Sequence, residues 1–112
     1  MTAELTVTPV DTNATVGSQV RLSCSTDASK EVNWQFGEEL NSMTDVYIAK
    51  EGLGRQFKES LRHKIDINSA IGQYDLLISD VTPEDDGFYI CSEPGLWGNP
   101  PHAKLTITGQ LR

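Results

Sequence analysis

The residues of this 112-residue chain whose types could carry chemistry are two cysteines, two histidines and one acidic cluster. Cys24 and Cys91 stand 67 positions apart, each inside an alternating apolar stretch. A close C-x-x-C pair would point to metal or redox chemistry, and this spacing does not. Two lone thiols do not complete a zinc site without histidine partners, and His63 and His102 lie in unrelated contexts. Two readings stay open: a pair of buried reduced thiols, or a disulfide. A disulfide closing this loop would stabilise by about 4 kcal/mol in the chain-entropy account and would imply an oxidising compartment. Glu84-Asp85-Asp86 clusters three carboxylates, but a calcium site needs further oxygen ligands at loop spacing, and a turn employs such residues structurally. Neither a nucleophile elbow nor an H-E-x-x-H pair occurs. The expectation is therefore no catalysis, no metal and no cofactor. Asn13-Ala14-Thr15 is a sequon for N-linked sugar, in keeping with a secretory route.

The elements that position these residues belong to one domain, expected to span residues 1–112. Hydrophobic residues make up 38% and charged residues 22%, which suits neither a disordered tail nor a membrane protein. Nine basic against 16 acidic residues give a net charge of −7, which repels phosphate and anionic lipid and excludes nucleic acid as an expected partner. No apolar run approaches the roughly 20 residues of a membrane span. No leader precedes Thr2, so the chain is expected to be a domain excised from a larger receptor or secreted protein, with Met1 an added start.

Short β-rich segments recur between turn signals: Leu5–Thr8, Val20–Cys24, Val32–Phe36, Asp45–Lys50, Lys64–Ile67, Tyr74–Ser79, Phe88–Ser92 and Ala103–Thr108. Val20, Leu22 and Cys24 share one face against Arg21 and Ser23, the period of a half-buried strand. Gln56 to His63 has room for a helical turn and nothing longer. Eight or nine short strands without a long helix predict an all-β sandwich or barrel.

With these residues in place the chain resembles the immunoglobulin superfamily, variable type (V-set). Gly17, Val20, Leu22 and Cys24 resemble its B-strand signature, and Trp34 stands ten residues after Cys24 as the family's strand-C tryptophan does. Leu76, Ile78, Val81, Asp85, Gly87, Tyr89 and Cys91 match its E-to-F motif without a gap. The resemblance implies a two-sheet sandwich with a Cys24–Cys91 inter-sheet disulfide, Trp34 packed upon it, and Tyr89 as the corner tyrosine. Gly87 would serve the tight turn into strand F. Asp85 would pair with a cation at the start of strand D. Arg62 and Lys64 compete for that role, and Lys64 is favoured because Ile65 and Ile67 then take the expected places. Between Gly37 and Tyr74 the chain runs long enough for three strands, C′ at Val46–Lys50, C″ at Gln56–Lys58 and D at Lys64–Ile67, which marks the variable type. Antigen receptors that rearrange carry Phe/Trp-Gly-x-Gly before strand G. Here Trp97-Gly98-Asn99-Pro100-Pro101 puts proline at the second glycine, leaving a non-rearranging, receptor-like variable domain.

The same frame places candidate binding residues. With Cys24, Trp34, Tyr89 and Cys91 inward, Gln35, Gly37, Phe88 and Ile90 point outward. Tyr47, or its neighbours Val46 and Ile48, adds to this face. Large apolar groups there suggest an interface with a protein ligand, an immunoglobulin-type domain or a second copy of this chain as a homodimer. Leu96 and Trp97 in the F-to-G loop are a second candidate anchor. The expected role is a cell-surface or secreted immune-type receptor domain, extracellular, binding through the C-F-G-C′ face. The alternatives are lectin-like reading of microbial carbohydrate through Trp97 and its loop, or homophilic adhesion.

Overall fold

The computed structural model describes residues 5–27, 30–94 and 100–109. Among them, nine strands and one short helix follow one another as β1 (Thr12–Thr15), β2 (Val20–Leu22), β3 (Asn33–Glu39), β4 (Ser42–Ile48), β5 (Gly52–Leu53), α1 (Arg55–Ser60), β6 (His63–Asn68), β7 (Gln73–Ile78), β8 (Gly87–Ser92) and β9 (His102–Thr108). One sheet has the order β1-β9-β8-β3-β4-β5 and the other β2-β7-β6. Every neighbouring pair is antiparallel except β1 with β9, which is parallel.

The period-2 pattern dictates what lies between the sheets. Rows Trp34↔Cys91 and Phe36↔Tyr89↔Ala103 cross the larger sheet on its inner side, and Leu22↔Leu76 and Val20↔Ile78 cross the smaller one. Leu22, Cys24, Trp34, Leu76, Ile78, Val81, Tyr89, Cys91 and Leu105 are buried to within 1% of completely. The disulfide joins Cys24 to Cys91, whose Cα atoms are 6.5 Å apart, and so ties the sheets through this core. Trp34 fills the space beside it, and its indole N–H donates to the Tyr74 carbonyl oxygen at 2.8 Å, so the buried polar atom is satisfied.

Three expectations are corrected. Gln56–Lys58 is not strand C″. It lies in α1, whose Phe57 is buried as an anchor, and C″ is the two-residue β5. Gly54 caps α1 in extended backbone, and Leu61 ends it in the left-handed region at φ 62°. Leu5–Thr8 contributes only an isolated bridge, Val7 to Ser25, and the first strand is instead Thr12–Thr15. Strand C′ begins earlier than expected, at Ser42, and ends at Ile48.

Candidate binding face

The outer side of the six-stranded sheet is built by the same alternation. Rows Gln35↔Ile90↔His102 and Gly37↔Phe88↔Lys104 cross β3, β8 and β9. Between Trp34 and Gln35 the register with β4 shifts, because Val46 is an extra residue opposite one step of β3. The bulge sets Asp45 beside Gln35, whose side-chain amide donates to Asp45 Oδ1 at 3.1 Å. It turns Val46 and Tyr47 the other way. Val46 is fully buried, and Tyr47, opposite Trp34 and Leu53, packs against the core. Burial pushes the Tyr47 phenol above its ordinary pKa. Tyr47 is thus not the outward contact expected of it.

Phe88 sits at the centre of the outer face, half-buried. The His102 ring meets it edge-on at 5.9 Å between centroids, and the Lys104 ammonium lies 5.8 Å from its centroid. Lys104 is held there by Asp86, whose Oδ1 accepts its Nζ at 2.6 Å while Oδ2 accepts the Ile107 N–H at 2.9 Å. These two donors draw the Asp86 pKa below the usual range, the Lys104 ammonium foremost. Ile90 shares the face but is only 8% exposed. The apolar patch is accordingly narrower than the sequence pattern implied. Gly37 is also closed. A Cβ built there would meet the Ser42 carbonyl and, at 2.7 Å, the Met43 sulfur, so this glycine lets the β3–β4 hairpin fold over itself. Leu96 and Trp97 lie outside the described residues.

The opposite sheet presents a different outer surface. Asp66 and Asp75 face each other across β6 and β7, a repulsive arrangement on its own. Arg21 bridges them, with Nη1 3.0 Å from Asp66 Oδ2 and 2.7 Å from Asp75 Oδ2. Asp75 Oδ1 also accepts the buried Cys24 N–H at 3.0 Å, which ties this network to the disulfide strand. Sequence reasoning missed Asp75, although Arg21, Asp66 and Asp75 at outward positions on three strands were a readable charge pattern.

Asp85 is bonded to Arg62, not to Lys64. The Arg62 guanidinium donates to both of its oxygens, at 2.7 and 3.1 Å. The hydrogen bond to Asp85 holds the Arg62 pKa above its ordinary value. Asp85 Oδ2 also accepts the Thr82 N–H at 2.9 Å and closes the capping box of the turn Pro83–Asp85. The Tyr89 hydroxyl donates to the Asp85 carbonyl oxygen at 2.7 Å. His63 packs edge-on to Phe57 at 5.0 Å, and burial lowers its pKa. Gly87 is required by contact, since a Cβ there would stand 2.7 Å from the Gly37 carbonyl and 2.8 Å from the Phe36 ring.

At the loop end of the sandwich, Glu93 is 4% exposed, and among the described residues neither of its carboxylate oxygens has a hydrogen-bond donor. An unpaired buried carboxylate is destabilising. Glu93→Met, of similar shape and apolar, is expected to raise unfolding free energy by about 1–3 kcal/mol in urea titration. An unchanged or lowered midpoint would show that this carboxylate is bonded in solution.

Among the described residues no group of three or more His, Cys, Asp or Glu side chains is arranged to hold a metal ion. No curated protein matches the chain. In structure it is similar to a chain of the crystal structure of Dpr1 IG1 bound to DIP-eta IG1, with a TM-score of 0.72 and 16% sequence identity over 96% of this chain and 96% of that one. The immunoglobulin V-set domain model matches residues 7–108, from the bridge at Val7 to the end of β9. With the inter-sheet disulfide, the buried Trp34 and the Tyr89 corner in the same stretch, the chain belongs to the immunoglobulin V-set domain family.

Proposed function

We propose that this domain is an extracellular recognition module that binds another immunoglobulin-type domain, a second copy of itself included, through the outer face of the six-stranded sheet. The observation that carries the reading is Phe88: an aromatic side chain central on a sheet face, framed by His102, Lys104, Gln35 and Asp45. An aromatic centre inside a polar rim is the composition of protein interfaces. The other sheet is occupied by the Arg21–Asp66–Asp75 network and offers no such centre. The exposed large apolar side chains elsewhere among the described residues are scattered, Val7 at its bridge, Val10 before β1, Leu40 in the β3–β4 turn, Leu61 after α1, Ile67 near the end of β6 and Ile71 before β7, and scattered residues of this kind need no partner.

Three further points support the reading. The structurally similar chain comes from a complex of two IG1 domains. Domains of this family are typically extracellular and act as binding modules without catalysis. The Cys24–Cys91 disulfide suits an oxidising compartment. No helix among the described residues is long and apolar enough to cross a membrane. Self-pairing is tested by sedimentation equilibrium of the oxidised domain beside Phe88→Glu. A wild-type dimer whose dissociation constant rises by about tenfold or more, a cost of about 1.4 kcal/mol, is the expected result. A dimer unaffected by the substitution contradicts pairing through this face, and a monomer at every concentration excludes the second copy as the partner.

A further inference from the structure

We propose that Asn13 carries an N-linked sugar standing on the β1–β9 flank of the outer face, so that partners seat on the β8–β3–β4 flank. The sequon Asn13-Ala14-Thr15 lies within β1, and its middle residue fixes the geometry. Ala14 packs against the core, so Asn13 and Thr15 point the other way, and both are exposed. Asn13 pairs with Thr106 of β9 and therefore shares the side of the sheet that bears Lys104 and Phe88. Among the described residues β1 is the edge of its sheet, and no further strand covers the Asn13 carboxamide from beyond. That carboxamide makes no side-chain hydrogen bond among the described residues. A disulfide-bonded chain of this kind passes through the compartment in which such sugars are attached.

In the transfer, the Asn13 carboxamide nitrogen attacks the anomeric carbon of an oligosaccharide linked to a lipid pyrophosphate. The C–N bond forms, the C–O bond to the pyrophosphate breaks, the lipid pyrophosphate leaves, and the nitrogen gives up one proton. The position of the product follows from the ladder. Two strand spacings across and two residues along β9 separate Asn13 from Phe88, about 12 Å between their Cα atoms at ordinary sheet dimensions. The sugar thus borders the face at Thr106 and Thr108 and leaves Phe88, Gln35 and Asp45 open. The division of the face between sugar and partner rests on the binding reading above, whereas the modification itself does not.

The test is secretion of the chain from mammalian cells and peptide mapping around Asn13. The expected result is a hexose and N-acetylhexosamine adduct on Asn13, lost in Thr15→Ala. An unmodified Asn13 in the secreted, disulfide-bonded protein overturns the proposal, whatever the partner binding. The division is read without any partner, by trimming the sugar to its first N-acetylglucosamine and comparing amide NMR shifts. Changes confined to β1 and β9 are expected. Changes reaching Gln35 and Phe88 overturn the division, because the sugar then lies across the whole face.

Discussion

Arg62→Ala is expected to lower the unfolding free energy by about 3 kcal/mol, at the lower end of the range for breaking a buried ion pair. Asp85, 6% exposed with Arg62 in place, would lose its matching charge. The Thr82 N–H still donates to one oxygen, which holds the loss below the top of that range. The effect spreads, because Asp85 also closes the turn before β8 and its carbonyl receives the Tyr89 hydroxyl. Arg62→Lys keeps the charge but loses the two-pronged geometry and is expected to fall between wild type and Ala. Lys64→Ala is the contrast. That side chain is exposed, and its removal is expected to shift stability by less than about 0.5 kcal/mol. Urea titration of the three variants checks the series. Equal losses for Arg62→Ala and Lys64→Ala would contradict the assignment of the pair.

The second large effect is expected on losing the disulfide. Cys24→Ala with Cys91→Ala removes a cross-link between residues 67 positions apart, worth about 4 kcal/mol of chain entropy in a loop of this length. It also takes the packing partner from Trp34, which is fully buried at the same level of the core. Losses for natural disulfides in small extracellular domains run about 2–5 kcal/mol, often enough to prevent folding at 37 °C. The measurement is thermal unfolding of the double variant beside the oxidised protein. A transition unchanged within about 1 °C would mean that the sheets are held without the bridge.

These two effects also mark what was legible in the sequence. Cys24, Trp34, Tyr89 and Cys91 were readable because strands report facing through a period of two, and a motif without gaps keeps that phase from Leu76 to Cys91. The Asp85 partner was not readable from phase. The left-handed turn at Leu61 starts β6 at His63 and buries that histidine at 8% exposure, so His63 and Ile65 face in while Lys64 faces out. Arg62, one residue before the strand, is left alongside Asp85. A two-residue strand such as β5 carries too few residues to show any period, and the helix beside it is shaped by the anchoring of Phe57. β1 reads Thr-Asn-Ala-Thr, without the apolar alternation that betrays a strand, because an edge strand takes its order from the partner β9.

The binding face was legible in outline only. Periodicity placed Phe88 and Ile90 on the outer side, where the structure has them. It carried no information on what covers a side chain once there, so the burial of Ile90 was not visible. The bulge at Val46 likewise reverses the expected direction of Tyr47, since one extra residue flips every later side chain.

The most direct test of the account is binding of the oxidised domain to a panel of immunoglobulin-domain ectodomains, measured in parallel for wild type, Phe88→Glu and Lys64→Glu. The account predicts at least one binder in the panel whose affinity falls by about 30-fold or more with Phe88→Glu, the loss of a central contact residue, and is unchanged with Lys64→Glu. A binder indifferent to Phe88→Glu and lost with Lys64→Glu would place recognition on the opposite sheet and contradict it.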